Sequence, residues 1–252
     1  MKYTVLTLFP EITDAFFATS IMAKAIKRGI IHYKAVNIRD FAKDKHKTCD
    51  DAPYGGGPGM LMLPEPLGLA LKSVLPGENT PKPRVIYLSP SGKPFNQKIA
   101  QELASEPELV LICGRYEGID QRIIDLYVDD EISVGDFVLS SGEVAALAVI
   151  DATYRLVDKV IRQESLAEES FSDGLLEYPQ FTRPEEYDSI KVPNVLLSGH
   201  HEQIRLWHLQ KRVEKTLRQR PDLIQHGRET GLFNKEILNI IEQLEGERHE
   251  RN

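Results

Sequence analysis

Two short stretches of this chain carry residue types and spacings suited to holding a ligand. Residues 110–120 read Val-Leu-Ile-Cys-Gly-Arg-Tyr-Glu-Gly-Ile-Asp, and residues 133–143 read Ser-Val-Gly-Asp-Phe-Val-Leu-Ser-Ser-Gly-Glu. In each, an apolar run meets a glycine and polar residues follow at once, which is how a buried parallel strand delivers backbone to a ligand at its carboxyl end. Two such ends so close in sequence imply one pocket. Charge marks two further places. Residues 200–220 hold six basic residues (Arg205, Lys211, Arg212, Lys215, Arg218, Arg220) against Glu202 and Glu214, an excess of four cations (six minus two). Residues 39–47 hold Arg39, Lys43, Lys45 and Lys47 against Asp40 and Asp44, with His46 beside them. These are candidate phosphate contacts.

Several chemistries are excluded by spacing. Gly55-Gly-Gly-Pro-Gly59 is not followed by Lys-Ser/Thr, so it fails as a P-loop, and Met60 stands where GxGxxG needs its third glycine. The first strand leads into Phe9-Pro10-Glu11 rather than a glycine turn, so the usual dinucleotide site is missing. There is no HExxH, no GxSxG and no Cys/His cluster at ligand spacing, so no metal is expected. Cys49 and Cys113 lie far apart and read as plain thiols. A net charge of −7 argues against nonspecific coating of nucleic acid, without excluding a specific complex. No apolar run approaches the roughly 20 residues that span a bilayer, and the N-terminus is too short for a signal peptide. The expectation is a cytoplasmic protein without a membrane partner.

The elements that must position these stretches alternate. Residues 3–9 read as a strand and Pro10 suits a helix start. The helix that follows is expected to turn Ile12, Phe16, Ile21 and Ala25 inward and to stop at Gly29. A strand at 30–38 precedes a long loop over 39–59, and a helix spans about 64–75. Then come a strand at 84–88, a helix near 96–104, a strand at 108–113, a helix near 121–127, a strand at 131–134 and a helix from about Ser141. Such alternation predicts an α/β class with a mostly parallel sheet. Residues 162–174 are polar and read as an interdomain linker. From Arg183-Pro184 onward only helices are expected, a small all-helical domain at 175–252. Its clearest helix, 203–220, turns Leu206, Leu209, Val213 and Leu217 to one side and Arg205, His208, Arg212 and Lys215 to a basic outer face. Trp207 reads as a packing residue.

Taken together, Tyr87-Leu-Ser-Pro90, Cys113-Gly-Arg-Tyr-Glu-Gly-Ile119 and Ser133-Val-Gly-Asp-Phe-Val-Leu139 closely resemble the bacterial tRNA (guanine-N1)-methyltransferase family. So do Asp50-Asp-Ala-Pro-Tyr-Gly-Gly-Gly-Pro-Gly-Met-Leu-Met62, Gly174-Leu-Leu-Glu-Tyr-Pro179, Thr182-Arg-Pro184 and Leu197-Ser-Gly-His-His201. The resemblance runs from Leu8-Phe-Pro10 to about Pro221. It implies methyl transfer from S-adenosylmethionine to N1 of the guanine at tRNA position 37, just 3′ of the anticodon. It implies a cofactor domain over 1–161 tied in a deep trefoil knot, a helical tRNA-binding domain, and a homodimer with its active site at the subunit interface. Nothing in the periodicity reveals a knot.

By position the resemblance assigns cofactor contacts to Tyr87, Leu88, Ser89 and Pro90, to Gly114, Tyr116, Glu117 and Gly118, and to Ser133, Val134, Gly135, Asp136, Phe137, Val138, Leu139 and Gly142. Asp50 and Gly59 match positions that contact the target guanine or its 5′ neighbour, with His46 close enough to help. Arg155 occupies the place of the catalytic arginine. The family's usual aspartate before Ser-Phe falls on Glu169, a departure that keeps the carboxylate and adds a methylene; Asp173 and Glu168 are the substitutes. Ser141 departs too, standing where a second glycine is common. The rivals are a knotted enzyme acting on a ribose 2′-hydroxyl, which needs no carboxylate at 169, and a catalytically inactive RNA-binding protein.

Overall fold

The computed structural model describes residues 1–77, 80–162 and 169–249. The chain divides into two compact units, Met1–Ile161 and Arg162–Asn252.

The first unit opens with β1 (Lys2–Thr7), α1 (Pro10–Phe17), α2 (Ser20–Lys27) and β2 (His32–Asn37). Two short strands, β3 (Asp50–Asp51) and β4 (Leu61–Met62), lead to α3 (Pro64–Val74). Then β5 (Arg84–Pro94), α4 (Gln97–Ala104), β6 (Glu108–Cys113), α5 (Gln121–Tyr127), β7 (Asp130–Ser133) and α6 (Gly142–Tyr154) complete it. Five strands form one sheet in the order β2-β1-β6-β5-β7, and every pairing in it is parallel. Both faces are covered, which is why the strands read as continuous apolar runs rather than alternating ones. On one face Tyr3, Val5, Leu109 and Leu111 pack against Phe17, Met22, Leu103 and Ala146 from α1, α2, α4 and α6. On the other, Leu6, Val110 and Ile112 pack against Leu67, Leu71 and Ile123 from α3 and α5.

Three expectations change. The single helix over 10–29 is two, because the chain breaks at 18–19 and Ser20 takes a left-handed φ of 51°. Ile12 of α1 and Ile21 of α2 stay exposed, while Met22 and Ala25 of α2 are buried. The strand expected at 84–88 continues to Pro94: β5 pairs with β6 through Arg84–Leu88, then bulges and pairs again with β7 at Lys93 and Pro94. The 39–59 loop is tied down, with a 3₁₀ turn at Ile38–Phe41 and a two-rung antiparallel ladder joining Asp50 to Met62 and Asp51 to Leu61.

The second unit is not all helical. A hairpin of β8 (Glu186–Tyr187) and β9 (Ile190–Lys191) turns through Asp188 and Ser189, both at positive φ. That turn is built without the glycine that signals it in sequence. Helices α7 (Asn194–Leu197), α8 (His201–Gln219), α9 (Pro221–Glu229) and α10 (Lys235–His249) follow. Val213, Leu217, Ile224, Phe233, Ile237 and Ile241 form their core with Leu175. The basic outer face of α8 is largely used up internally. Arg205 binds Glu202 and Glu236, Lys215 donates to the Glu177 carbonyl, His208 stacks on Tyr178, and Arg212 is 5% exposed. Among the described residues no helix is long and apolar enough to cross a membrane.

Candidate active site

The middle of β5, the carboxyl ends of β6 and β7 and the first turn of α6 enclose a cleft of about 370 Å³, inside the range of small-molecule sites. Tyr87, Leu88, Ser89 and Pro90 form one wall, Gly114, Tyr116, Glu117 and Gly118 a second, and Ser133, Val134, Gly135, Phe137, Val138 and Leu139 a third, with Gly142 at the base. Asp136 alone of the expected cofactor contacts does not line it. Ser91, Arg115, Ile132 and Ala145 do, although no role was expected of them. Arg115 sits inside the Gly-Arg-Tyr-Glu-Gly stretch, so its neighbours could have drawn attention to it.

The walls are held close by backbone. The Gly142 N–H donates to the Gly114 carbonyl at 2.9 Å. A Cβ on Gly142 would come within 2.7 Å of the Gly114 nitrogen and 2.8 Å of the Cys113 Cα, so α6 can meet the end of β6 only through glycine. Tyr87 is buried beneath the second wall, and burial, with the nearby Glu131 charge, raises its phenol above the ordinary range. Phe137 and Val138, both in the lining, are 55% and 85% exposed and give the cleft an apolar edge.

The glycine loop closes against the second wall. Glu117 N–H donates to the Met60 carbonyl and Met62 N–H to the Gly118 carbonyl, both at 3.0 Å. A Cβ on Gly59 would strike the Glu117 side chain at 2.5 Å. Tyr116, at a left-handed φ of 57°, lies near Asp50 and Arg39, and burial together with the Asp50 charge raises its phenol. Asp50 and Gly59 therefore meet the Tyr116–Glu117 turn. His46 stands apart from the cleft lining on an exposed turn, where the Asp44 carboxylate accepts from the backbone of His46 and Thr48 and is held below its usual range by Thr48 first.

The two expected catalytic residues are not in the lining. Arg155 is the C-cap of α6, thirteen residues beyond Gly142, hence roughly 20 Å away at 1.5 Å per residue. Glu169 belongs to the second unit, on a turn closed by the Ser172 N–H and hydroxyl donating to its carbonyl and by Phe171 N–H donating to Leu175. In the same turn Asp173 is committed elsewhere: both its oxygens accept from the buried Arg212 guanidinium, at 2.9 and 2.5 Å. Glu168 lies outside the described residues.

Over residues 1–226 the chain matches the family described as tRNA (Guanine-1)-methyltransferase TrmD. The chain belongs to this family. Its curated relatives include tRNA (guanine-N(1)-)-methyltransferases from Treponema denticola, 64% identical over 98% of this chain and 100% of the relative, and Treponema pallidum, 59% identical over 98% and 97%. One from Borrelia duttonii is 59% identical over 88% of this chain and 92% of its own length. Among the described residues no His, Cys, Asp and Glu group could hold a metal ion.

Proposed function

We propose that this chain is a tRNA (guanine-N1)-methyltransferase that modifies the guanine at position 37, immediately 3′ of the anticodon, using S-adenosylmethionine. The observation carrying the reading is that the three strand-end segments resembling the family converge on one cleft whose base is a glycine contact. The cleft fits the cofactor. Gly114 and Gly142 let backbone approach closely, and peptide N–H and C=O groups along residues 87–90, 114–118 and 133–139 can read the edge of an adenine. Bound there, S-adenosylmethionine supplies an electrophilic methyl group on a sulfonium.

The chain's own residues do the rest. Guanine N1 bears a proton and is a poor nucleophile until it loses it, so the Glu169 carboxylate accepts that proton while Arg155, always cationic, stabilises the charge growing on O6. Asp50 and Gly59 hold the base beside the Tyr116–Glu117 turn, with His46 on the approach. N1 is on the pairing edge, so the base must leave its stack.

The enzyme acts as a homodimer. Arg155 lies a helix length from its own cleft, which supports a site completed by a second copy. The trefoil knot of the family is supported by the long bent β5 and by Gly92, whose missing Cβ would fall 2.5 Å from the Glu131–Ile132 peptide. Residues 1–161 serve as the cofactor domain, 162–174 as the linker and 175–252 as the tRNA-gripping domain, in the cytoplasm where tRNA resides.

The test is labelled S-adenosylmethionine with two tRNA transcripts that differ by guanine or adenine at position 37, run for wild type and Glu169→Gln. Guanine-dependent labelling that collapses in the variant is expected. Label recovered on ribose would redirect the reading to 2′-O-methylation, and no label on either transcript to RNA binding without catalysis.

A further inference from the structure

Glu143 is completely buried at the start of α6, directly behind the cleft. One of its oxygens accepts from the Thr7 hydroxyl; the other, Oε2, has no hydrogen-bond partner. An ionised oxygen left so is costly in a dry interior. Among the described residues the cationic atom facing it is Arg115 Nε at 3.6 Å, itself buried and without a hydrogen bond. Two complementary groups thus stand slightly farther apart than a hydrogen bond allows.

The remainder of Arg115 is held with equal care. Its guanidinium lies 4.4 Å over the Phe9 ring. The Phe9 N–H donates to the same Thr7 hydroxyl that binds Glu143, so carboxylate, hydroxyl, ring and guanidinium form a closed circuit. Arg39 lies farther from the same ring, at 5.8 Å. Arg115 lines the cleft with 23% of its side chain exposed, and its two terminal nitrogens have no hydrogen-bond partner among the described residues. A planar fork with one edge facing a buried carboxylate and the other open to a cleft is suited to an oxyanion.

We propose that Glu143 is a positioning residue, orienting Arg115 so that its open edge holds an oxyanion of the reactants. The proposal rests on the methyltransferase reading, which offers two sources: a phosphate of the RNA beside the target base, or the carboxylate of the cofactor's amino-acid end. Glu143 acts through Arg115 and touches neither.

The experiment compares wild type, Arg115→Lys, Arg115→Gln, Glu143→Gln and the Arg115→Gln/Glu143→Gln double variant. Affinity for a tRNA transcript is measured across a salt series, affinity for S-adenosylmethionine by calorimetry, and folding by thermal melts. Failure of the wild type to bind either ligand would sink the parent reading before any variant is compared. If an RNA phosphate is held, Arg115→Gln weakens tRNA binding about tenfold and the log–log salt slope falls by about 0.7 to 1, with cofactor affinity unchanged. If the carboxylate is held, the loss of about tenfold moves to the cofactor and the salt slope stays. In either case Arg115→Lys, which keeps charge but loses the fork, shares most of the loss. Glu143→Gln reproduces the same ligand-specific loss in smaller measure and adds nothing in the Arg115→Gln background. Unaltered affinity for both ligands in Arg115→Gln and Arg115→Lys overturns the proposal, whatever Glu143→Gln does to stability. A Glu143→Gln loss that adds in full to that of Arg115→Gln overturns it as well.

Discussion

At the scale of residues, the turn at 169–177 separates two carboxylates that sequence alone leaves interchangeable. Asp173 is clasped at both oxygens by Arg212, while Glu169 opens the turn with its backbone carbonyl accepting from the Ser172 hydroxyl. Asp173→Asn should therefore lower stability by roughly 2 kcal/mol, discounted from a fully buried pair because Asp173 keeps some exposure. Glu169→Gln should abolish turnover. Melting curves beside single-turnover rates separate the two. Arg155→Ala should cut kcat by orders of magnitude with cofactor affinity nearly unchanged, since it acts on charge that develops only in the transition state; a large loss of cofactor binding would contradict that role. The thiols should be inert. Burial raises both Cys49 and Cys113 above the ordinary thiol range, and for Cys113 the Glu143 charge adds to it. A group raised in this way stays protonated as pH climbs past its unfolded value. Native protein at pH 8 should leave an alkylating reagent unconsumed, whereas protein in denaturant should consume two equivalents per chain.

At the scale of elements, the strands were legible where burial on both faces makes an apolar run that only a parallel sheet can use, and β6 and α5 fall where the pattern puts them. Elements were lost where the deciding contact is distant. Nothing local announces that Ser20 will take a left-handed φ, or that an Asp-Ser pair will turn a hairpin. The amphipathic pattern of α8 holds for Val213 and Leu217 but fails for Leu206, which is exposed, and for Arg212, which is buried. A helical wheel cannot see an Asp173 arriving from another segment to draw the guanidinium inward. The cleft was more legible than the elements around it, because glycines at strand ends are forced by close backbone approach. Gly142→Ala tests that reason: its Cβ meets only backbone, so about 1–3 kcal/mol of stability should be lost and α6 displaced. Cofactor affinity should fall with it, by calorimetry, even under conditions where the variant remains folded.

At the scale of the whole molecule, the proposed division of the active site between two copies predicts complementation. A subunit with a ruined cleft and one bearing Arg155→Ala are each inactive alone, but a hybrid of the two owns one intact site. Equal mixing with subunit exchange should restore about a quarter of wild-type activity; no recovery would mean that Arg155 serves its own subunit. The sheet order carries a different consequence, for how the chain is made. β1 is flanked by β2 and by β6, whose residues come more than a hundred positions later, and the cleft also needs β7 against the far half of β5. During synthesis the first strand must wait with one edge unpaired until residue 113 has left the ribosome, and the ligand site cannot exist before residue 142 has done so. Such long-range pairing makes folding slow and late. Pulsed hydrogen exchange during refolding should find β1 and β6 amides gaining protection in one step. Protection of β1 well ahead of β6 would mean that the strand is sheltered by something other than its final neighbour.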